Sequence, residues 1–267
     1  PFMEKQFGPY PFRQYSFIQG GDGGMEYPMG TLIKSASLGA AFHEWMHSWY
    51  QMMLGTNESM LPWMDEGFAT YAEGKVTFYY DHAFADSIFI NDPAGRKSTL
   101  DRLDTSLPLG ESGAYKGYFS LLSSGLAEPM TTHADHYETN FAYAENAYSK
   151  GAVFLEQLGY IVGRDALHRL LLDYYHKWAF KHPDANDFIR VAEKATGIKL
   201  DWYLEYWVYT TKVIDYSIDS VTESDGSTRI TLRRTGQIPM PIDLEVTYKD
   251  GRKVMHYIPG YLMFGIK

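Results

Sequence analysis

Two histidines four residues apart, followed at a fixed distance by a glutamate, constrain this chain more than any other feature. His43 and His47 would lie one turn apart on the same face of a helix, so both imidazoles can reach one metal ion. Glu66 follows after 18 intervening residues and adds a carboxylate. Two imidazoles and one carboxylate, with a fourth position left to water, are the ligand set of a catalytic zinc site. The sequence therefore predicts one Zn2+ ion bound by these three side chains.

Two further residues favour a metal site over a chance repeat of the histidine motif on a core-facing helix. Glu44 directly follows the first histidine, where its carboxylate can hold a water molecule against the metal and take its proton. Thr70 lies four residues after Glu66, on the same face of a second predicted helix. Its hydroxyl could support the ring nitrogen of a histidine ligand that faces away from the metal.

The composition excludes several classes of protein. The formal net charge is −9 and no basic stripe stands out, so we expect no nucleic-acid partner. The chain has no cysteine, which excludes disulfides and thiolate metal sites. No apolar run approaches the roughly 20 residues of a membrane span. The chain begins at Pro1 in what resembles the middle of a domain, so we expect a fragment or processed form and leave the cellular location open.

The hydrophobic pattern changes its period along the chain. It predicts a strand over 10–19 and a turn at 107–110, and it favours helices through most of the remainder up to about residue 212. After that point four segments alternate like strands, with Asp225-Gly226 and Asp250-Gly251 placed as hairpin turns. We therefore predict two domains, 1–212 and 213–267. The predicted helices cover 37–54, 63–76, 146–162, 164–179, 185–196 and a final aromatic one at 202–207.

A glycine-rich segment precedes the histidines. It contains Gly23, Gly24, Met25 and Glu26. Glycines let a backbone approach another chain closely, and a strand of this kind could hold an extended peptide by main-chain hydrogen bonds. From its composition alone, a loop with a solvated glutamate is the simpler interpretation.

Three motifs in a fixed order resemble the aminopeptidase N family of gluzincin zinc metallopeptidases. They are the zinc motif with its spacing, the segment Gly-Gly-Met-Glu-Tyr at 23–27 and the segment Tyr-Ser-Lys-Gly at 148–151. Two further segments are also similar to the family. They are Asp-Glu-Gly-Phe-Ala-Thr-Tyr at 65–71 and Trp-Val-Tyr-Thr-Thr at 207–211. The resemblance covers roughly residues 8–260. Gly24 and Tyr27 depart from it, since they replace the usual alanine and asparagine.

The resemblance implies an α+β fold. Residues 1–212 would form a mostly helical, thermolysin-like zinc metallopeptidase domain with a small mixed sheet, and 213–267 a small β-sandwich. The N-terminal β domain and the C-terminal helical domain of the family would be missing from this chain.

The resemblance also implies a function, a zinc-dependent aminopeptidase that acts on peptides with a free N-terminal amine. Tyr148 would donate a hydrogen bond to the oxyanion, with Tyr143 as a weaker second candidate. Glu26 would pair with the α-ammonium group of the substrate, and the backbone of Gly23, Gly24 and Met25 would pair with its main chain. Glu44 would be the catalytic base.

Two other classes of function stay open at this point. One is a catalytically silent scaffold that keeps the peptidase fold for protein binding, although Glu44 and three intact ligands argue against it. The other is a different zinc enzyme, either an endopeptidase or a glycyl aminopeptidase of a neighbouring family.

Overall fold

The structure is a computed structural model that describes residues 1–21, 23–88, 90–104 and 113–264. For residues 99–104 it describes the backbone only. The turn predicted at 107–110 lies outside these ranges. The chain divides into two compact units, Pro1–Leu204 and Glu205–Lys267. The described part is mostly helical with small sheets, which confirms the predicted α+β class. None of its helices is long and apolar enough to cross a bilayer.

Helices form most of the first unit. They are α1 (Phe2–Phe7), α2 (Leu38–Met46), α3 (Phe68–Ala83), α4 (Ala85–Ile88), α5 (Pro93–Asp104), α6 (Gly113–Ser124), α7 (Asn140–Ala144), α8 (Gly151–Val162), α9 (Arg164–Trp178), α10 (Ala185–Thr196) and α11 (Asp201–Val208), the last crossing into the second unit. Among the described residues, the π-helical segments Trp63–Gly67 and Glu145–Lys150 directly precede α3 and α8, and the turns after α2 over Ser48–Met53 are interrupted at Tyr50 and Gln51.

The helix boundaries follow local chemistry where the sequence offers it. The Asp184 side chain accepts a hydrogen bond from the backbone N–H of Asp187, and the Asp187 side chain accepts one from the backbone N–H of Asp184. Helix α10 therefore starts with a capping box. Gly197 ends it in the left-handed region at φ 71°. The predicted helix over 37–54 is shorter in the structure, because Tyr50 and Gln51 leave helical geometry after α2 and Gln51 takes φ 98°.

A three-stranded mixed sheet lies in the first unit, as the family resemblance implied. Strand β1 (Ser16–Gln19) runs parallel to β3 (Gly30–Ile33), and β2 (Gly24–Tyr27) runs antiparallel to β3. The strand predicted over 10–19 is wrong in its first half. Pro11 has no backbone N–H to offer a ladder, and the chain bends before β1 begins.

Aromatic rings in edge-to-face contact form the core beneath the site. The ring of Phe188 lies 5.1 Å from that of Phe68 and 5.0 Å from that of Tyr174, which joins α3, α9 and α10. Trp63 and Phe154 meet at 4.9 Å and join the segment before α3 to α8. Large buried aromatic rings are a major source of packing free energy, so this cluster fixes the helices that carry the site.

Two antiparallel strand pairs lie in the second unit. Strand β4 (Tyr216–Ser224) pairs with β5 (Ser227–Arg234), and β6 (Ile242–Thr247) pairs with β7 (Lys253–Ile258). Asp225 and Gly226 both take positive φ between β4 and β5, which confirms the first hairpin turn. The compact units divide between Leu204 and Glu205, whereas the domain boundary at 212 and the β-sandwich stay predictions.

Candidate active site

The three predicted metal ligands come together at the junction of α2 and the π-helical segment Trp63–Gly67. The His43 Nε2 atom lies 3.1 Å from Glu66 Oε2 and 3.1 Å from His47 Nε2, and the latter is 3.3 Å from Glu66 Oε2. Ligand atoms that share a tetrahedral zinc ion at its usual bond lengths are roughly 3.3 Å apart. The triangle therefore has the size of one face of a zinc coordination tetrahedron.

Two carboxylates hold the outer nitrogens of these histidines. His47 Nδ1 lies 2.5 Å from Asp65 Oδ1, and His43 Nδ1 lies 3.3 Å from Glu73 Oε2. When Nδ1 donates to a carboxylate, the lone pair of a neutral imidazole is on Nε2. Both Nε2 atoms would then face each other and the Glu66 carboxylate as acceptors. Three converging acceptors fit a cation between them, and the donor set fits zinc.

The sequence suggested that Thr70 would support the outer ring nitrogen of a histidine. In the structure, Asp65 and Glu73 occupy that position. Thr70 Oγ1 is buried and has no hydrogen-bond partner among the described residues, because both histidine Nδ1 atoms are already paired. Thr70 therefore bonds to neither histidine in this structure. A signal for the correct residues was present: Asp65 is the neighbour of Glu66, and Glu73 follows it by two helical turns.

The pKa values show how strongly the site attracts positive charge. Burial lowers the pKa of His43, but hydrogen bonds to Glu66 and Glu73 outweigh burial and raise it to about 9. Burial also lowers the pKa of His47, yet the contacts with Asp65 and Glu66 outweigh burial and raise it. For Glu66 burial raises the pKa, while the bonds from His43 and His47 bring it down to about 2. The surrounding carboxylates thus favour positive charge between these side chains, which is the charge that a metal ion brings.

Glu44 lies beside the three ligands without belonging to their triangle. Its side chain is buried, and Oε2 has no hydrogen-bond partner among the described residues. The Tyr15 hydroxyl donates to its backbone oxygen at 3.1 Å, which helps to fix this turn of α2. Burial raises the pKa of the Glu44 carboxyl to about 7, and nearby Glu26 and Glu66 add to the rise. A pKa near neutral suits a group that must both accept and return a proton.

Strand β2 brings Glu26 to the same place. A carboxylate oxygen of Glu26 and one of Glu44 lie within 4.8 Å of each other and of a ring nitrogen of His47. Glu26 also comes within 4.8 Å of the carboxylates of Asp65 and Glu66. The Thr31 hydroxyl donates to the Met25 carbonyl at 2.8 Å and holds the strand against β3.

One cavity of about 300 Å³ contains nearly all of the predicted site residues. Gly23 and Thr70 are the exceptions, since neither is among the lining residues. The sequence did not single out Glu58, Ser59 or Ala134, which also line the cavity. The full lining is Gly24, Met25, Glu26, His43, Glu44, His47, Glu58, Ser59, Asp65, Glu66, Ala134, Tyr143 and Tyr148.

Tyr148 reaches the ligands from the π-helical segment Glu145–Lys150. Its hydroxyl donates to Glu66 Oε1 at 2.6 Å, and its ring stacks on His43 with centroids 5.6 Å apart. Burial and the adjacent Glu66 raise the pKa of this phenol, so it stays a proton donor at neutral pH. The ring of Tyr143 lies 6.3 Å away and lines the same cavity. The structure thus brings both tyrosine candidates to the site.

The fold and the geometry of the site together indicate a zinc metallopeptidase. A family model described as the peptidase family M1 domain matches residues 34–207. Aminopeptidase B of Homo sapiens is 27% identical over 217 residues, which covers 76% of this chain and 29% of that protein. Aminopeptidase N of Streptomyces lividans is 23% identical over 247 residues, covering 84% of this chain and 26% of its own length.

The solved structures agree with the sequence relatives at the level of the fold. The M1 zinc metallopeptidase from Deinococcus radiodurans superposes with a TM-score of 0.55 at 21% identity, covering 77% of this chain and 41% of that one. The chain belongs to peptidase family M1. It spans less than a third of the length of the two aminopeptidases just described.

Proposed function

We propose that this chain carries the catalytic machinery of a zinc-dependent aminopeptidase, which removes the N-terminal residue of peptides. The observation that carries the proposal is the meeting of a zinc-sized ligand triangle, the carboxylate of Glu44 and the carboxylate of Glu26 in one cavity of about 300 Å³. Membership of family M1 supports it. So does the M1 zinc metallopeptidase from Deinococcus radiodurans, which was crystallised with a Tyr-Ser-Ala substrate.

His43, His47 and Glu66 would hold the zinc ion, which supplies Lewis acidity to polarise the scissile carbonyl and acidify a water molecule. Glu44 then accepts the proton of the attacking water and delivers it to the leaving amine. Both transfers use the same carboxyl group, whose Oε2 has no hydrogen-bond partner among the described residues.

Tyr148 acts on the charge that develops on the carbonyl oxygen. In the structure its hydroxyl is bonded to Glu66, so the substrate would draw this hydrogen bond away from the carboxylate and onto the oxyanion. A donor that is already in place when charge develops contributes a few kcal/mol, on the order of 3, to transition-state stabilisation. Tyr143 lies one ring further along the cavity wall and has no direct bond to a ligand among the described contacts.

Glu26 gives the site its exopeptidase character. Its carboxylate lies close to those of Glu44, Asp65 and Glu66 in the cavity, an arrangement that gains from a cation. The α-ammonium group of a peptide provides that cation, whereas an internal residue of a longer chain provides none. The backbone of Gly24 and Met25 on β2 would pair with the substrate main chain next to it.

The test compares a short peptide with its N-acetylated copy. The protein should first be assayed for zinc by elemental analysis, with one ion per chain expected. Cleavage should then be at least tenfold faster, as kcat/KM, for the free amine, because a desolvated charge pair costs roughly 2–5 kcal/mol when one partner is removed. Equal rates on both peptides would point to an endopeptidase. A zinc-loaded protein that cuts neither would point to a silent scaffold.

A further inference from the structure

We propose that Gly67 and Gly151 are a pair of positioning residues, whose backbone contact places the Tyr148 hydroxyl against the metal-ligand end of the site. The inference rests on the proposed function, since it concerns the geometry of the same reaction. Gly67 directly follows Glu66, and Gly151 comes three residues after Tyr148.

The two glycines are needed for space and not for their backbone angles. Gly67 has φ −69° and ψ −38°, and Gly151 has φ −62° and ψ −43°, which are helical values that any residue adopts. A Cβ atom added to Gly67 would lie 2.5 Å from Gly151 Cα and 2.8 Å from the Ala147 carbonyl oxygen. One added to Gly151 would lie 2.8 Å from Gly67 Cα and 3.0 Å from the Trp63 carbonyl oxygen.

These neighbours cannot move aside as a flexible side chain would. All four are backbone atoms of helical segments. The Trp63 and Phe68 side chains are fully buried on one side of the contact, and Ala147 and Val153 are fully buried on the other. A methyl group at either glycine would therefore push the two segments apart as bodies, by about an ångström, before ordinary van der Waals distances return.

The two segments carry different parts of the chemistry. The π-helical segment Trp63–Gly67 holds the ligand Glu66, and the segment Glu145–Lys150 holds Tyr148. Their closest functional contact is the 2.6 Å bond from Tyr148 Oη to Glu66 Oε1, within one or two turns of the glycine pair. The contact of the two backbones thus sets how far the phenol reaches toward the metal ligands.

The consequence falls on the chemical step more than on substrate binding. A misplacement of about an ångström can cost on the order of a hundredfold in rate. We therefore expect Gly151→Ala to lower kcat at least tenfold. The KM for a free-amine peptide should change less than about twofold, because Glu26 binds the ammonium group from β2, outside this contact. Zinc content should stay at one ion per chain.

The experiment compares Gly151→Ala and Gly67→Ala with the control Gly74→Ala. Gly74 lies in α3, and a Cβ atom there would meet no heavy atom within 4 Å, so the control should keep the wild-type kcat. Each variant is checked for zinc by elemental analysis and for folding by circular dichroism. The two methyl groups enter the contact from opposite sides, so either variant carries the test if the other fails to fold.

A double-mutant cycle with Tyr148→Phe separates positioning from general damage. If the glycines act through the phenol, Gly151→Ala should cost less than about twofold in the Tyr148→Phe background. An equal loss of kcat in both backgrounds would overturn the inference, as would unchanged kcat in Gly151→Ala or unfolding of both glycine variants. A zinc-loaded wild-type protein without peptidase activity would overturn the proposed function along with it. Wild-type activity that survives Gly151→Ala would overturn this inference alone.

Discussion

At the scale of single residues, the site is a small group of acceptors that needs positive charge to hold together. The two imidazoles face one carboxylate in front and have another carboxylate behind each of them. The three predicted ligands are separated by up to 23 positions in the chain but contact one another directly, so we expect the loss of one to affect the other two.

The first prediction at this scale concerns His47, which is almost fully buried and touches both other ligands. His47→Ala should leave less than about a tenth of the zinc bound after dialysis, because two ligands and water rarely hold zinc tightly. Elemental analysis measures the bound metal. His176→Ala, at an exposed histidine of α9, serves as the control and should keep its zinc. Full zinc occupancy in His47→Ala would show that the ligand assignment is wrong.

The second prediction separates metal binding from chemistry. Glu44→Gln keeps the size of the side chain but cannot accept a proton. We expect kcat to fall by a factor of about 100 or more, as for other lost general bases, while zinc content stays unchanged. Glu4→Gln, an exposed carboxylate on α1, is a suitable control for the loss of one negative charge. Turnover at the original rate in Glu44→Gln would exclude this residue as the base.

The third prediction concerns Asp65, whose oxygen lies 2.5 Å from His47 Nδ1. Asp65→Asn keeps an oxygen but removes the charge that orients the ring and makes its other nitrogen more basic. Zinc affinity should fall about 10- to 100-fold, as for other outer partners of metal-bound histidines. Competition with a chelator of known affinity gives the constant. The parallel variant Thr70→Val should leave zinc affinity unchanged, since Thr70 bonds to neither histidine.

At the scale of elements, the sequence predicted what depends on local geometry and missed what depends on packing. The spacing of His43 and His47 is a property of one helix, so their convergence could be read directly. The break at Tyr50 and Gln51 could not, because a glutamine at φ 98° is a conformation that no local preference of this residue type predicts. Asp65 and Glu73 were missed for a similar reason, since their use depends on how the segment Trp63–Gly67 and α3 face α2.

Strand β2 shows the same limit. Glu26 precedes His43 by 17 residues, and no local rule relates a strand residue to a ligand on a later helix. The family resemblance supplied that link, and the structure brings Glu26 to within 4.8 Å of His47. Gly23 was assigned to the substrate site from the same motif, yet only Gly24, Met25 and Glu26 line the cavity.

The prediction at this scale therefore concerns what β2 delivers. Glu26→Ala should lower kcat/KM for free-amine peptides at least tenfold, because the substrate ammonium loses a charge-assisted partner in a partly desolvated site. Zinc content should not change. Acetylated peptides should be cut no worse by Glu26→Ala than by the wild type. The informative quantity is therefore the kcat/KM for the free-amine peptide divided by that for the acetylated peptide, compared between the two proteins. A ratio that stays at the wild-type value would assign amine recognition to another residue.

At the scale of the whole molecule, the metal is expected to stabilise one unit and not the other. All three ligands lie within Pro1–Leu204, where they join α2 to the segment before α3. A ligand that binds only the folded state adds about 4 kcal/mol when its concentration is a thousand times its Kd. For a unit of this size each kcal/mol raises the Tm by about 2–4 °C. Chelation should therefore lower the melting transition of the first unit by roughly 10 °C.

The measurement is calorimetry of the intact chain with zinc and with excess chelator. Near-ultraviolet circular dichroism identifies the transition in which the aromatic core around Phe68, Phe154 and Phe188 unfolds. Only this transition should move to a lower temperature when the chelator is added. The melting temperature of His47→Ala should be the same with zinc and with chelator, because it has no bound zinc to lose. A chelator effect of equal size on His47→Ala and on the wild type would mean that the stabilising metal binds elsewhere in the chain.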